Sequence, residues 1–262
     1  MREATLPSSG DGDRKLKLAP VGNMVVIAVS FGVWSLVARI DIGGRPLFSG
    51  PLATLAAFGD DGTNLATDLL ATFARAAAGL FLGTICGLAL GLLVAAASRV
   101  APVVESLLDF IRSIPPVVLL PSLLLALGYD DRARITTVAL GCAVIIAASV
   151  TSALRAPPSP RAELLRLSGA SWGQQLRWTQ PWEALPTLLA GLRIAAAMAV
   201  VVATVTEMVA GASSGIGARV VSAQVAGHTP ELTAAIAAIG LAGWALNALL
   251  RALERTARRR SA

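Results

Sequence analysis

Six uncharged apolar runs punctuate the chain: Val21–Ala38, Ala76–Ser98, Ser113–Tyr129, Ile135–Leu154, Ile194–Thr206 and Leu232–Leu250. In the fifth, apolar composition reaches back to about Leu185. Runs of about 20 such residues are long enough to cross a bilayer as helices. The pattern therefore predicts an all-α polytopic membrane protein of six spans, with both termini on the same side. The third run is short and carries Pro115, Pro116 and Pro121. Its flanks are expected to be kinked or irregular, which is tolerable only where neighbouring helices satisfy the freed backbone groups. Residues 1–20 are polar, and the run that follows is too long for the apolar region of a cleaved signal. They are expected to form a cytoplasmic tail, residues 21–254 the membrane domain, and residues 255–262 a basic cytoplasmic tail.

Composition agrees with this pattern. Of 262 residues, 55% are hydrophobic and 15% charged, with only 5% aromatic. That is too apolar for an ordinary soluble domain, and the apolar residues are mostly Ala, Leu, Val and Ile. The net charge of +6 finds its explanation in topology rather than in nucleic acid. With the N-terminus inside, 16 of the 22 lysines and arginines fall in inside segments and 6 outside. Asp41, Asp60, Asp61, Asp68, Asp130, Asp131 and Glu231 all fall outside. Excess Lys and Arg on the cytoplasmic side predicts both termini in the cytoplasm. The pairs Asp60-Asp61 and Asp130-Asp131 are expected to be solvated. Cys86 and Cys142 lie within apolar runs and are expected to be buried, inert thiols.

One polar stretch interrupts the apolar pattern on the inside, between spans four and five, within residues 156–182. It is entered through Ala156–Pro160, a rigid break, and Glu163–Leu167 reads as a short helix with Leu164, Leu165 and Leu167 apolar. After Gly169 a second amphipathic segment carries Trp172 and Trp178. Leucines and tryptophans beside arginines suit a docking surface better than a solvated linker.

Glu163-Leu164-Leu165, Gly169 six residues after the glutamate, Gly169-Ala170-Ser171, Pro186 in an Ala-Leu-Pro step and Gly191-Leu192-Arg193 together resemble the EAA loop of bacterial ABC-importer permeases. The resemblance is greatest to permeases for nitrate, sulfonate and taurine, and covers roughly Ala71 to Arg255. Arg112–Pro116, Thr206–Met208, Gly215–Gly217 and Leu253–Arg260 match as well. The sequence departs from the pattern at Leu164 and Leu165, where alanines are usual, at Gln180-Pro181, and at Asn247, often an aspartate.

The resemblance implies the type I importer permease fold, with a cytoplasmic coupling helix docked on a separate ATPase subunit. Leu164 and Leu165 would anchor it, Glu163 and Arg166 would set its register from the rim, and Gly169, Ala170 and Ser171 would form the bend. It also implies a bacterial cytoplasmic-membrane location, a second permease copy, two ATPases that bind ATP and Mg, and an external or lipid-anchored binding protein that delivers a small anion such as a sulfonate, taurine or nitrate. The chain contains no G-x-x-x-x-G-K-[ST], and its only lysines are Lys15 and Lys17, so no P-loop of its own holds ATP. No cofactor, metal or catalytic residue is expected in it.

Gly79, Gly83, Gly87 and Gly91 recur every four residues along span two, a stripe that lets another helix approach closely. Glu207 is the only carboxylate well inside an apolar run, roughly 21 Å along a helix from Arg193. It is a candidate for the outer pathway or gate, or else an interfacial charge with a polar partner. Thr204, Ser149 and Ser122 are further pathway candidates, although each hydroxyl is equally able to bond its own helix, as are Thr136, Thr137 and Thr151. His228, the only histidine, lies in an outer loop with no catalytic constellation nearby. An ion-coupled secondary transporter is the alternative, but such transporters usually place ionisable groups near the midplane, and these span centres have none. A membrane enzyme would need a carboxylate pair or a His- or Cys-rich cluster that the inside segments lack.

Overall fold

The computed structural model describes residues 25–26, 28–42, 45–46, 48–96, 101–155, 160–171, 174 and 180–261. Helix α1 (Ala28–Val37) leads into a two-residue antiparallel hairpin, β1 (Asp41–Ile42) with β2 (Arg45–Pro46). There follow α2 (Pro51–Asp60), α3 (Gly62–Ala96), α4 (Ala101–Ser113), a 3-10 turn (Pro116–Leu119) and α5 (Leu120–Leu127). The remaining helices are α6 (Asp131–Leu154), α7 (Pro160–Leu167), α8 (Gln180–Val209), α9 (Ile216–Ala226) and α10 (Thr229–Ser261).

Among the described residues, α3, α6, α8 and α10 are the four helices long and apolar enough to cross a membrane. The proline-bearing third run is broken: Ser106–Ser113 and Pro116–Leu127 meet at 78°, and counting them as one span gives five. The bend has an identifiable cause, because Pro115 and Pro116 supply no backbone donor and their rings clash with a continuing helix. The first apolar run is a short helix where described, and its residues 21–24 and 27 lie outside the described residues. Residues 1–20 do so as well.

Helix boundaries differ from the apolar runs where polar residues find partners inside the protein. Helix α3 starts at Gly62 rather than Ala76, because Asp68, Thr72 and Arg75 in its first turns bond to other elements. Helix α10 continues to Ser261, through the residues read as a basic tail. Arginine is a good helix former, and cations suit a helix C-terminus. The β-hairpin and helices α2 and α9 are absent from the apolar pattern.

Helix α6 lies between α3 and α8 and contributes Val138, Cys142, Ile146 and Val150 to the main core. Helices α3 and α6 run parallel and in register. A Cβ on Gly79 would stand 2.5 Å from that of Val138, on Gly83 2.6 Å from Cys142, on Gly87 2.8 Å from Ile146, and on Gly91 2.6 Å from Val150. The glycine stripe is therefore filled by the branched and sulfur-bearing face of α6. On the other side, Ala195, Ala199 and Ala203 of α8 keep that helix close to α6, and the Cys142 thiol reaches the Ala195 carbonyl at 3.5 Å. Cys142 is fully buried, but Cys86, expected to be buried too, is exposed. It points away from the glycine face towards the apolar exterior, beside exposed Leu82 and Ile85.

Candidate functional site

Helices α3 and α6 begin, and α8 ends, at the same end of the bundle, where α9 packs against α3 and α8. Asp68, Thr72 and Arg75 are spaced to share one face of α3. Glu207 occupies the last turn of α8, which closes when the Ala212 N–H bonds back to the Glu207 carbonyl at 3.2 Å around Gly211, a left-handed residue. These side chains meet in one buried network.

Glu207 is 1% exposed, and every hydrogen bond its environment offers is a donor. Arg75 Nη1 donates to Oε1 at 2.7 Å, the Gly217 N–H to Oε2 at 3.0 Å, and the Thr72 hydroxyl to Oε2 at 2.9 Å. Thr72 in turn accepts from the Ile216 N–H at 2.9 Å. Arg75 uses four of its five N–H donors: besides Glu207, Nε donates to Asp131 Oδ1 at 2.8 Å, Nη1 also to the Ser214 carbonyl at 2.9 Å, and Nη2 to the Ser214 hydroxyl at 3.0 Å. Charge-assisted, multidentate bonding of this kind is what lets an ion pair persist in a low-dielectric interior.

The Gly215-Ile216-Gly217 triplet makes room for that carboxylate. Gly215 has φ +113°, and a Cβ there would stand 2.5 Å from the Glu207 carboxyl carbon and oxygens. A Cβ on Gly217 would strike the Thr204 carbonyl and Glu207 Cβ. Between them Ile216 points inward and is fully buried.

A second pair of acids holds α9. Arg219 Nε donates to Asp68 Oδ2 at 2.7 Å and Nη1 to Asp61 Oδ2, while Asp68 Oδ1 accepts from the Gly215 N–H at 2.9 Å. The Arg219 hydrogen bond, helped by Asn64, holds the Asp61 carboxyl below its ordinary range. Partial burial disfavours the charge on Arg219, but its bonds to Asp61 and Asp68 outweigh this and push its pKa above the ordinary arginine value. Arg134 joins through Asp131 at 3.0 Å and the Ala210 carbonyl at 3.3 Å.

Asp60, Asp130 and Asp131 are exposed as expected, but they and Asp61 are not all free of protein partners: Asp61 and Asp131 are ion-paired, and Asp130 caps α6 by accepting from the Arg132 N–H at 2.9 Å. The ties of Asp61 to Arg219 and of Asp131 to Arg75 were not foreseen, because those arginines lie far away in sequence.

At the opposite end, α7 spans the predicted short helix and ends in a Schellman motif. The Ala170 N–H bonds to the Leu165 carbonyl and the Gly169 N–H to the Arg166 carbonyl, both at 3.1 Å, with Gly169 at φ +79°. Ser171 and Gln174 then form a capping box: the Ser171 N–H donates to Gln174 Oε1 at 2.8 Å, and the Gln174 N–H to Ser171 Oγ at 3.4 Å. Leu164 is 65% and Leu167 75% exposed, Leu165 is half-buried, and Glu163 and Arg166 sit 3.7 Å apart. Residues 172–173 and 175–179, including Trp172 and Trp178, lie outside the described residues.

The pathway candidates do not converge. Glu207 is enclosed in the network, and Ser122 is exposed on α5. Ser149 bonds the Ile145 carbonyl and packs against Gly191, while Thr204 bonds the Val200 carbonyl and borders a groove between α8 and α10. His228 is exposed with Nδ1 3.3 Å from Glu231. Among the described residues no group of three or more His, Cys, Asp and Glu is placed to hold a metal. Arg75, Thr72, Asp68 and Arg219 went unrecognised as a site. The available signal was the spacing of Asp68, Thr72 and Arg75 on one face of an otherwise apolar helix.

Residues 64–261 match the family described as binding-protein-dependent transport system inner membrane component. The chain is similar to a putative aliphatic sulfonates transport permease protein of Bacillus subtilis (25% identity over 234 residues, 88% of this chain and 84% of the relative). It is also similar to the taurine transport system permease protein of Escherichia coli (28% over 239 residues, 87% and 86%). In three dimensions it resembles a chain of the inward-facing MetNI methionine ABC transporter, with a TM-score of 0.65 at 22% identity over 76% of this chain and 98% of that one.

Proposed function

Because the chain belongs to the family of binding-protein-dependent transport system inner membrane components, we propose that it carries a small anion, of the sulfonate or taurine type, through the bacterial cytoplasmic membrane as the permease of an ATP-driven importer. Membership makes it an integral membrane permease subunit; the solute rests on modest similarity to sulfonate and taurine permeases. In this reading both termini and α7 are cytoplasmic, and α9 with the charge network faces outward. A second copy completes the pathway. Two ATPase subunits bind ATP with Mg and dock on α7, and a binding protein delivers solute at the α9 end.

The observation that supports the coupling role is the uncovered apolar surface on a rigidly terminated helix. Leu164 and Leu167 project from a helix whose end is fixed by Gly169. Glu163, Arg166 and Ala170 complete the docking surface. ATP binding draws the two ATPases together, and the loops carry that movement into α8, a rigid-body switch between two pathway states. Glu207 supports the outer part of the pathway by positioning α8 and α9.

Replacing Gly169 by Val tests this directly. A Cβ there meets no atom, but φ +79° strains any β-branched residue. The variant is expected to insert normally, to lose co-purification with the ATPase, and to lose uptake. Full assembly with unchanged uptake refutes the coupling role. Reporter fusions after Lys17, within Thr54–Thr63, near Pro158 and after Arg260 should read inside, outside, inside and inside.

A further inference from the structure

We propose that the groove between α8 and α10 binds an anionic phospholipid, with an acyl chain lying along the groove and the headgroup phosphate at its arginine end. The groove measures about 590 Å³ and is walled by apolar groups such as Val200, Ile239, Trp244 and Leu250, with Arg193 at one end. From Arg193 to Thr204 it follows α8 for roughly 17 Å. That is slightly more than the ~15 Å hydrocarbon depth of one leaflet. The Thr204 hydroxyl is turned back to its own helix, so the wall offers an apolar surface rather than a donor. On the α10 side, Gly240 and Gly243 have no atom within 4 Å of where a Cβ would stand, whereas the four glycines of α3 are all covered by α6.

Charge selects the headgroup. Arg193 pairs with Glu254 only at 3.6 Å, beyond hydrogen-bond reach. Arg251 is exposed on the next turn of α10, its Nε resting on the Asn247 carbonyl at 3.3 Å. Arg193 at one end of an apolar intramembrane groove, with Arg251 exposed nearby on α10, suits an anionic lipid. It suits a second copy of this chain poorly: two copies inserted with the same orientation are related by an axis along the membrane normal, so pairing through this groove would bring the arginine ends together. With the orientation proposed above the headgroup lies in the cytoplasmic leaflet. The binding itself does not depend on that assignment, and vesicles of symmetric composition test it separately.

Trp244 lines the groove and is 67% exposed, which makes it a reporter. The full chain carrying W34F, W172F, W178F and W182F keeps Trp244 as its only tryptophan. In vesicles, phosphatidylglycerol with brominated acyl chains should quench Trp244 at about fivefold lower mole fraction than brominated phosphatidylcholine, the effect expected of one arginine near a headgroup. R193Q or R251Q should erase most of that difference, and G243L should weaken quenching by both lipids. Native mass spectrometry of the unaltered chain from mixed micelles should retain phosphatidylglycerol over phosphatidylcholine of equal chain length. Equal quenching or equal retention of the two lipids overturns the proposal. So does absence of quenching together with efficient disulfide cross-linking of Gly243→Cys between copies, which would place a second copy in the groove.

Discussion

Removing Arg75 and Glu207 together should cost far less than the sum of the two single removals. Arg75→Met deletes bonds to Asp131, Glu207, the Ser214 carbonyl and the Ser214 hydroxyl. Asp131 retains Arg134 at 3.0 Å and is half-exposed at its side chain. Glu207, however, is left buried with only two neutral donors, the Thr72 hydroxyl and the Gly217 N–H. An uncompensated buried charge costs about 3–5 kcal/mol. Glu207→Met strands Arg75 less completely, because Asp131 remains its partner, and should cost about 2–4 kcal/mol. The double variant removes both charges and leaves chiefly the Gly217 N–H and Ser214 groups unpaired, a loss of about 2–4 kcal/mol. The single losses sum to about 5–9 kcal/mol against about 2–4 for the double, so the two changes should couple by about 4 kcal/mol at the midpoints. Reversible unfolding in mixed detergent micelles, run on the wild type, both single variants and the double, measures this cycle. A double variant whose loss equals the summed singles within about 0.5 kcal/mol would refute the assignment of Arg75 and Glu207 as one unit.

Gly83→Val should destabilise by at least about 3 kcal/mol, because its Cβ would stand 2.6 Å from the Ala139 carbonyl, which cannot move without displacing α6. Gly243→Ala, which meets no atom, should be neutral or stabilising by about 0.5–1 kcal/mol in the same unfolding assay. Glu207→Gln should retain much of the uptake, since an amide oxygen still accepts from Arg75, whereas Glu207→Leu should lose most of it. If both abolish uptake, and wild-type uptake collapses on dissipating the proton gradient at constant ATP, the ATP-driven reading fails. The tie between α9 and Asp61 should depend on acid in one direction only. Arg219 lowers the Asp61 pKa, so the tie is fully present above the ordinary carboxylate value of 3.8 and is lost as pH falls through the lowered one. Amide exchange across Ile216–Ala226 should stay slow down to about pH 4 and rise below it, and Arg219→Gln should exchange fast at every pH.

The apolar runs located the four long helices because a membrane span must be apolar wherever it touches lipid, and that requirement is written residue by residue. The glycine stripe was equally legible: a period of four on one helix needs a partner face, although not which one. What escaped was everything whose cause lies far away in sequence. Arg75 looked like an outside-loop charge because its partners, Asp131, Glu207 and Ser214, are supplied by three other segments. Helix α3 consequently seemed to begin at Ala76. The pairing of Asp61 with Arg219 and of Asp131 with Arg75 went unseen for the same reason. The Schellman turn at Gly169 was anticipated only as a bend. The capping box at Ser171 and Gln174 is local, with its characteristic three-residue spacing, and could have been found.

The two ends of α8 connect these observations. Its start follows the α7 turn, its middle is held against α6 by alanines and by Gly191 on Ser149, and its end carries Glu207. Helices α3 and α6, locked together by four glycines, form the firmer body, and Arg75 and Asp131 on that body hold α8 and the Ser214 loop at the far end. A displacement entering at the α7 turn thus reaches α8 directly, while α3 and α6 are moved only through side-chain contacts and the charge network. The network is multidentate and specific, so it favours one register of α8 against α3 and α6 over small continuous slides, as the two-state switch proposed above requires. Glycines at 215 and 217 complete the arrangement: they let the backbone of the following segment close over the Glu207 carboxylate, so that α9 moves with α8 rather than independently of it.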